Sequence, residues 1–179
     1  RKEWVKERLE EKKKLAQSED EKEQASARMM LDDHCFEVSD RGTKWYSFIL
    51  VDNWYHLQIS GSKRQKLPQL YVQVSSELLT CYGLDNAIIN LRKIVQMLVE
   101  TIEEETISRM DIFTDFLTDK ELEGIEKVSW VTRAQKTHKY WKGDIFTGWT
   151  IGQGGEILAR LYDKTVEIEK SNQAYLQRK

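Results

Sequence analysis

Four short runs of aromatic and β-branched residues, separated by turn signals, dominate the first half of the chain. The runs are HCFEVS, TKWYSFILVD, WYHLQIS and QLYVQVSSELLT, at residues 34–39, 43–52, 54–60 and 69–80. Residues of these types favour strands. The intervening segments SDRG, DN and GSKRQKLP are typical of turns. We therefore predict an antiparallel meander, in which each strand pairs with the next one along the chain.

A long amphipathic helix is predicted directly after the meander, over residues 84–105, with Asp85 as its N-cap. Its apolar residues recur at helical spacing: Ile88, Leu91, Ile94, Val95, Leu98 and Ile102. The later predicted elements are strands at 108–116 and 127–137, a hairpin at 147–163 and a helix at 165–177. This order predicts an α+β fold with a mainly antiparallel sheet, one face of which the long helix covers.

The N-terminal segment, residues 1–31, is rich in Lys, Glu, Gln and Ala, which are strong helix formers. Its apolar stripe is thin: Trp4, Val5, Leu9, Leu15 and Ala16. We predict a charged helical arm that is mostly exposed and adds little to the core. Residues 32–179 are then predicted to form one domain. Because the chain begins with Arg1 rather than Met, we expect it to be a segment of a longer protein.

Composition narrows the classes of protein that remain. The formal net charge is −2, so the overall charge does not call for a nucleic-acid partner. A local basic surface would still be compatible with one. Cys35 and Cys81 form no CxxC pair, which argues against a zinc site and a disulfide framework. No apolar run approaches a membrane span and no signal peptide is visible. A cytoplasmic protein with no membrane partner is expected.

The predicted return strand of the hairpin carries an unusual polar face. Period-two alternation places Arg160, Tyr162 and Lys164 together with Glu156 and Leu158, while Ile157, Ala159 and Leu161 form an apolar face predicted to be core. Cations beside a tyrosine stabilise its phenolate. Such a tyrosine can attack a phosphodiester while Arg160 and Lys164 balance the developing charge. The alternative is an Arg–Tyr–Asp surface pairing on an edge strand.

The segment SRMDIFTDF contains a possible acidic site. On a strand, Asp111, Phe113 and Asp115 share a face, and two carboxylates there need a cation to offset their desolvation. A divalent metal such as Mg or Mn is one candidate. The others are Arg109, Arg160 and Lys164. His56, on the face of Trp54 and Gln58, is either a further metal ligand or a locally satisfied strand histidine.

Two clusters of basic residues are candidates for DNA binding. The first is the loop GSKRQK, with Lys63, Arg64 and Lys66. The second is TRAQKTHKYWK, which interleaves Arg133, Lys136, Lys139 and Lys142 with Tyr140 and Trp141. Cations neutralise phosphates and aromatic rings stack on bases, so this composition favours single-stranded nucleic acid. An ordinary exposed hairpin is the alternative.

Three motifs resemble those of rolling-circle replication initiation factors of plasmids and phages. They are SRMDIFTDF, GWTIG and ARLYDKTVE, and the resemblance spans residues 44–170. It implies a five-stranded antiparallel sheet related to the HUH nickases. It also implies nicking of one origin strand by a tyrosine, with a divalent metal. Matched motif by motif, Asp111 and Asp115 fall in the acidic strand, and Arg160, Tyr162, Asp163, Lys164 and Glu167 in the terminal signature.

The same resemblance implies partners: origin DNA, a helicase and a second copy of the chain. The chain departs from the family pattern in two places. GQGG lacks the usual arginine and serine, and no W-x-R-x-E strand follows ARLYDKTVE. Some members carry a second tyrosine at the position of Leu158. If Tyr162 is not the nucleophile, Tyr140 and Tyr175 are the next candidates. The competing hypotheses are a DNA-binding domain without catalysis and an oligomerisation module built on the N-terminal helix.

Overall fold

The computed structural model describes residues 2–61, 67–118, 122–125, 131–165 and 168. The chain divides into two compact units, Arg1–Ile107 and Ser108–Lys179. In the first unit the elements are α1 (Glu3–Ala16), α2 (Glu21–Ala25), β1 (Arg28–Leu31), β2 (His34–Val38), β3 (Phe48–Val51), β4 (Tyr55–Ile59), β5 (Leu70–Val74) and α3 (Ser76–Leu98). In the second unit they are β6 (Thr137–Lys142), β7 (Ile145–Ile151) and β8 (Ala159–Tyr162).

The first unit is built on a five-stranded sheet with the order β1–β2–β3–β4–β5. Every neighbouring pair is antiparallel. The turn between β3 and β4 depends on Asp52, whose Oδ1 accepts hydrogen bonds from the backbone N–H groups of Trp54 and Tyr55. The predicted meander is confirmed, and with it the α+β fold with a mainly antiparallel sheet and a long helix.

One face of this sheet forms the core of the first unit. Phe36, Leu50 and Leu57 lie on neighbouring strands and are fully buried. Residues of α1 and α3 belong to the same buried cluster, so both helices cover this face. The hydroxyl of Tyr55 donates to the carbonyl of Ala87 over 2.8 Å, which links the sheet to α3 inside the core.

The N-terminal arm is mostly exposed, as expected, but the prediction that it adds little to the core is wrong. Val5 and Leu9 are fully buried in the core, and residues 28–31 form β1 rather than a helix. The Nζ of Lys2 donates to the carbonyl of Gln96, and the Nζ of Lys13 donates to that of Ser47. Two apolar residues at i and i+4 suffice to dock this helix, since they lie one above the other on the same face.

The long helix begins and ends earlier than predicted. Ser75, not Asp85, is its N-cap, because the Ser75 hydroxyl accepts from the Leu78 N–H over 3.2 Å. Gly83, with φ +77°, interrupts the helix one residue before its predicted start. Leu98 is its last buried residue, and beyond it the Arg92 guanidinium holds the Glu105 carboxylate through two hydrogen bonds of 3.1 Å. The segment after Leu98 therefore turns back instead of continuing the helix.

The second unit contains a three-stranded antiparallel sheet with the order β6–β7–β8. The predicted hairpin is confirmed: Gly152 and Gly154 have φ of +85° and +83°, and the Gly155 N–H donates to the Gly152 carbonyl in the turn between β7 and β8. The return strand is shorter than predicted.

Two other strands predicted for the second unit are not confirmed. The predicted strand at 108–116 is wrong, because residues 108–118 form neither helix nor strand. The predicted strand at 127–137 lies partly outside the described residues, and β6 begins only at Thr137. The predicted C-terminal helix lies almost wholly outside them.

None of the helices in the described part of the chain is long and apolar enough to cross a membrane.

Candidate active site

The register of the small sheet gathers the tyrosines and Arg160 on one face. Tyr140 pairs with Gly148, and Gly148 pairs with Tyr162. One step along the strands, His138 pairs with Thr150, and Thr150 with Arg160. Directly opposed residues project to the same side of a sheet. We call this side the tyrosine face; it comprises His138, Tyr140, Thr150, Arg160 and Tyr162.

The other side, which we call the tryptophan face, comprises Lys139, Trp149 and Leu161. Trp149 is buried, and its Nε1–H donates to the Leu122 carbonyl over 3.1 Å. The Lys139 Nζ lies 4.7 Å from the centre of the Trp149 ring and donates to the Glu123 carbonyl over 3.0 Å. These contacts tie residues 122–123 to the sheet. The Lys139 ammonium, expected to bind DNA, is engaged within the protein.

Tyr162 stands at the end of β8 and is 46% exposed. The Lys164 Nζ lies 5.9 Å from the centre of its ring. Arg160, two residues earlier on the same strand, is exposed and on the same face. Asp163 continues the pairing after β8, because its N–H donates to the Thr147 carbonyl over 3.1 Å. The predicted grouping of Arg160, Tyr162 and Lys164 is therefore present.

The prediction that the back of β8 is core is wrong in part. Leu161 is half-buried opposite Trp149, but Ala159 is exposed and Ile157 is 84% exposed. Within the described residues β8 is an edge strand, and residue 157 precedes it. A residue outside the paired strand has no neighbouring strand to cover its side chain.

Asp111 and Asp115 lie in the irregular segment rather than on a strand, and both are exposed. The Nε–H of Arg109 donates to Asp111 Oδ1 over 2.7 Å. This hydrogen bond lowers the pKa of the Asp111 carboxyl, and the charge of Arg160 adds a smaller lowering. Of the three candidate cations, Arg109 is therefore the one that pairs with Asp111.

The expected divalent-metal site stays a prediction. The described residues contain no group of three or more His, Cys, Asp or Glu side chains that could hold an ion. His56 belongs to the first unit, whereas Asp111 and Asp115 belong to the second. The Nε2 of His56 is buried and has no hydrogen-bond partner in the described part of the chain.

The remaining DNA-binding candidates are divided between exposed and undescribed positions. Arg133 and Lys136 are exposed, in the segment that leads into β6. Tyr140 and Trp141 are about half exposed. The ring of Trp141 packs edge-on against Phe146, so only part of its surface is open to a base. Lys63, Arg64 and Lys66, like Glu167 and Tyr175, lie outside the described residues.

Two features of the site escaped sequence reasoning. The register shifts between Tyr140 and Trp141, so Thr147 is an extra residue in β7, a β-bulge. Gly148 follows it and stands between the two tyrosines. A glycine inside a strand often marks a bulge or a close approach of two backbones, so the G of GWTIG was a usable signal.

Comparison with known proteins adds no further identification. No family model, curated protein or solved structure matches this chain. The likeness to rolling-circle initiation factors therefore rests on the motifs SRMDIFTDF, GWTIG and ARLYDKTVE.

Proposed function

We propose that this chain nicks and rejoins one DNA strand at an origin of rolling-circle replication, with Tyr162 as the nucleophile. The observation that carries the proposal is the cationic surrounding of an accessible phenol. Tyr162 is about half exposed, Lys164 lies over its ring, and Arg160 projects from the same face of β8. A phosphodiester that approaches the tyrosine face would meet the nucleophile and both cations together.

The proposed reaction is a transesterification. The Tyr162 oxygen loses its proton and attacks phosphorus, the bond from phosphorus to the leaving strand end breaks, and that end takes up a proton. The product is a phosphotyrosine diester, from which the reverse attack restores the strand. Negative charge builds up on the phosphoryl oxygens in the transition state. Arg160 and Lys164 would stabilise that charge because they are already in place.

The surroundings of Tyr162 also favour DNA as the substrate. Tyr140 lies on the same face, and a half-exposed ring there is a platform for an unpaired base. Arg133 and Lys136 precede the strand that carries Tyr140 and could neutralise phosphates of the flanking strand. We also propose that the protein is cytoplasmic, recognises the origin and uses a divalent ion, Mg or Mn. Its proposed protein partners are a helicase and a second copy of the chain.

The second candidate function is DNA binding without catalysis. The same exposed Tyr140, Arg133 and Lys136 favour it, since binding needs them but not the phenol of Tyr162. Salt-sensitive binding of single-stranded DNA is expected under both functions. Only strand cleavage separates them.

The test uses the full chain, a supercoiled plasmid that carries the native origin, and Mg or Mn in the buffer. We expect nicked plasmid and a covalent protein–DNA adduct, both abolished by Tyr162→Phe. Affinity for DNA should stay within a few-fold, because the hydroxyl contributes little to the charge that binds phosphates. The control is Tyr82→Phe, which removes a phenol oxygen from another exposed tyrosine.

One result would reassign the nucleophile, and another would overturn the function. Nicking retained by Tyr162→Phe would move the nucleophile to Tyr140 or Tyr175. A wild-type chain that binds origin DNA but never cleaves it would favour the second candidate.

A further inference from the structure

Gly148 occupies the central position of the row Tyr140–Gly148–Tyr162 on the tyrosine face. It is the residue directly opposite the proposed nucleophile on the neighbouring strand. It also follows the bulge residue Thr147, whose carbonyl accepts the hydrogen bond from Asp163. The backbone of β7 is therefore irregular just where it supports the end of β8.

The two strands come unusually close at this point. A Cβ added to Gly148 would lie 2.5 Å from the Leu161 carbonyl oxygen and 2.8 Å from both the Cα and the Cβ of Tyr162. Opposed residues on antiparallel strands ordinarily keep their Cβ atoms about 4.5–5.5 Å apart. Two of the obstructing atoms belong to the backbone, and the third is the root of the tyrosine side chain. None of them can yield by a change of rotamer.

The backbone conformation of Gly148 also favours glycine, since its φ is +153°. Conformation alone does not distinguish it, because Gly154 has a φ of +83° in the turn that follows. The difference is contact: a Cβ at Gly154 would meet nothing within 4 Å. Gly154 therefore serves as a matched control, in which a left-handed backbone is strained without a clash.

We infer that Gly148 is a positioning residue for Tyr162, because its missing Cβ lets β8 approach β7 and so sets where the phenol stands. This inference rests on the proposed function for its meaning in catalysis. A methyl group at residue 148 would push the Cα and Cβ of Tyr162 away from β7. Arg160 pairs with Thr150, one row away from the added methyl group, and should move less. The Tyr162 phenol would then be displaced relative to the cations of Arg160 and Lys164.

The rate of nicking should depend steeply on the position of the Tyr162 phenol oxygen. A misplacement of 1 Å can cost on the order of 10²-fold in rate. We expect Gly148→Ala to lower kcat for nicking by about 10²-fold, with KM and DNA affinity within a few-fold of the wild type. Gly154→Ala should keep kcat within a few-fold.

A second measurement does not depend on nicking. Uniform labelling with 3-fluorotyrosine gives one fluorine resonance for each tyrosine, and Tyr162→Phe identifies the resonance of Tyr162. We expect Gly148→Ala to shift this resonance and leave those of the first unit in place. Gly154→Ala should leave it unchanged. A wild-type chain that fails to nick would defeat the proposed function, whereas this spectroscopic comparison would still test the positioning.

Three outcomes would overturn the inference. The first is a Tyr162 resonance that stays in place in Gly148→Ala. The second is a loss of activity of equal size in Gly154→Ala, which would point to backbone strain. The third is loss of hydrogen-exchange protection over residues 137–162 in Gly148→Ala, which would show that the glycine holds the whole small sheet together.

Discussion

The two units of the chain differ in how their sheets are covered. The five strands of the first unit bury one face under α1 and α3, and aromatic residues such as Phe36 and Tyr55 are almost wholly inaccessible. In the second unit, Trp149 and Ile151 are the buried apolar residues among those described, and Ile112 and Leu117 are open to solvent. The proposed chemistry lies in the unit with the smaller core. On the tyrosine face Thr150 is buried, but the side chains on either side of it are open to a substrate: His138, Tyr140, Arg160 and Tyr162.

The largest expected effect comes from equal truncations in the two units. Leu9→Ala should lower the free energy of unfolding by about 2–5 kcal/mol, because it leaves a cavity where a fully buried side chain was. Leu117→Ala should change it by less than about 0.5 kcal/mol, since that side chain is fully exposed. Urea unfolding of the full chain measures both. Equal losses would mean that the exposed segment of the second unit is packed in solution.

Trp149→Phe tests how much of the second unit depends on one side chain. The substitution removes the hydrogen bond to the Leu122 carbonyl and weakens the contact with Lys139. We expect a loss of about 1–2 kcal/mol. Hydrogen exchange should show it over residues 137–162 and not over residues 28–74. Trp141→Phe, at a half-exposed position, is the control. Unchanged protection over residues 137–162 would contradict the role given to Trp149.

Tyr55→Phe is the corresponding polar test in the first unit. It removes the buried hydrogen bond from Tyr55 to the Ala87 carbonyl and should cost about 1 kcal/mol. Burial raises the pKa of the Tyr55 hydroxyl, so the wild type should lose this bond only at strongly alkaline pH. Denaturant unfolding at neutral pH gives the loss, with Tyr82→Phe as control. A Tyr55→Phe variant as stable as the wild type would show that this bond contributes nothing net.

The smallest expected effect concerns the pair of Arg109 and Asp111. Because Arg109 lowers the pKa of the Asp111 carboxyl, the pair is fully formed above the ordinary carboxyl range and is lost as the pH falls through the lowered pKa. Arg109→Gln should raise the pKa of Asp111 toward its usual value, while Arg133→Gln leaves it unchanged. Carboxyl NMR titration is the measurement. A pKa that does not respond to Arg109→Gln would assign the lowering to another group.

Sequence patterns predicted those strands that pair with a neighbour along the chain. The strands of the meander and the hairpin at 147–163 each pair with a neighbour in sequence, so composition and turn residues suffice. The segment at 108–116 alternates as well as any strand, yet forms none, because alternation does not supply a partner backbone. The docking of α1 was missed for a related reason. Val5 and Leu9 are two apolar residues in a charged helix, and their spacing alone does not show that the helix packs on a core. The core residues that they join come from the strands and from α3.

The site was predictable to the same extent. Period two alone places Arg160, Tyr162 and Lys164 together, and the structure keeps them together. The alignment of Tyr140 with Tyr162 depends on the register of three strands and on an extra residue in β7, which no local pattern specifies. The pairing of Asp111 with Arg109 was one of several alternatives, and the sequence offered no means to choose among them.

The bulge at Thr147 has a consequence for how the small sheet folds. A slip of one residue between two regular strands exchanges their faces, and such slips are resisted only weakly where neither face of the sheet is well buried. Here the extra residue of β7 matches the register shift against β6, and Gly148 lies where β8 comes closest. A slipped pairing would press a bulky residue of β7 against the close approach of β8, and would place Trp149 where Gly148 belongs. The bulge and Gly148 should therefore favour the register that places both tyrosines on the same side of the sheet.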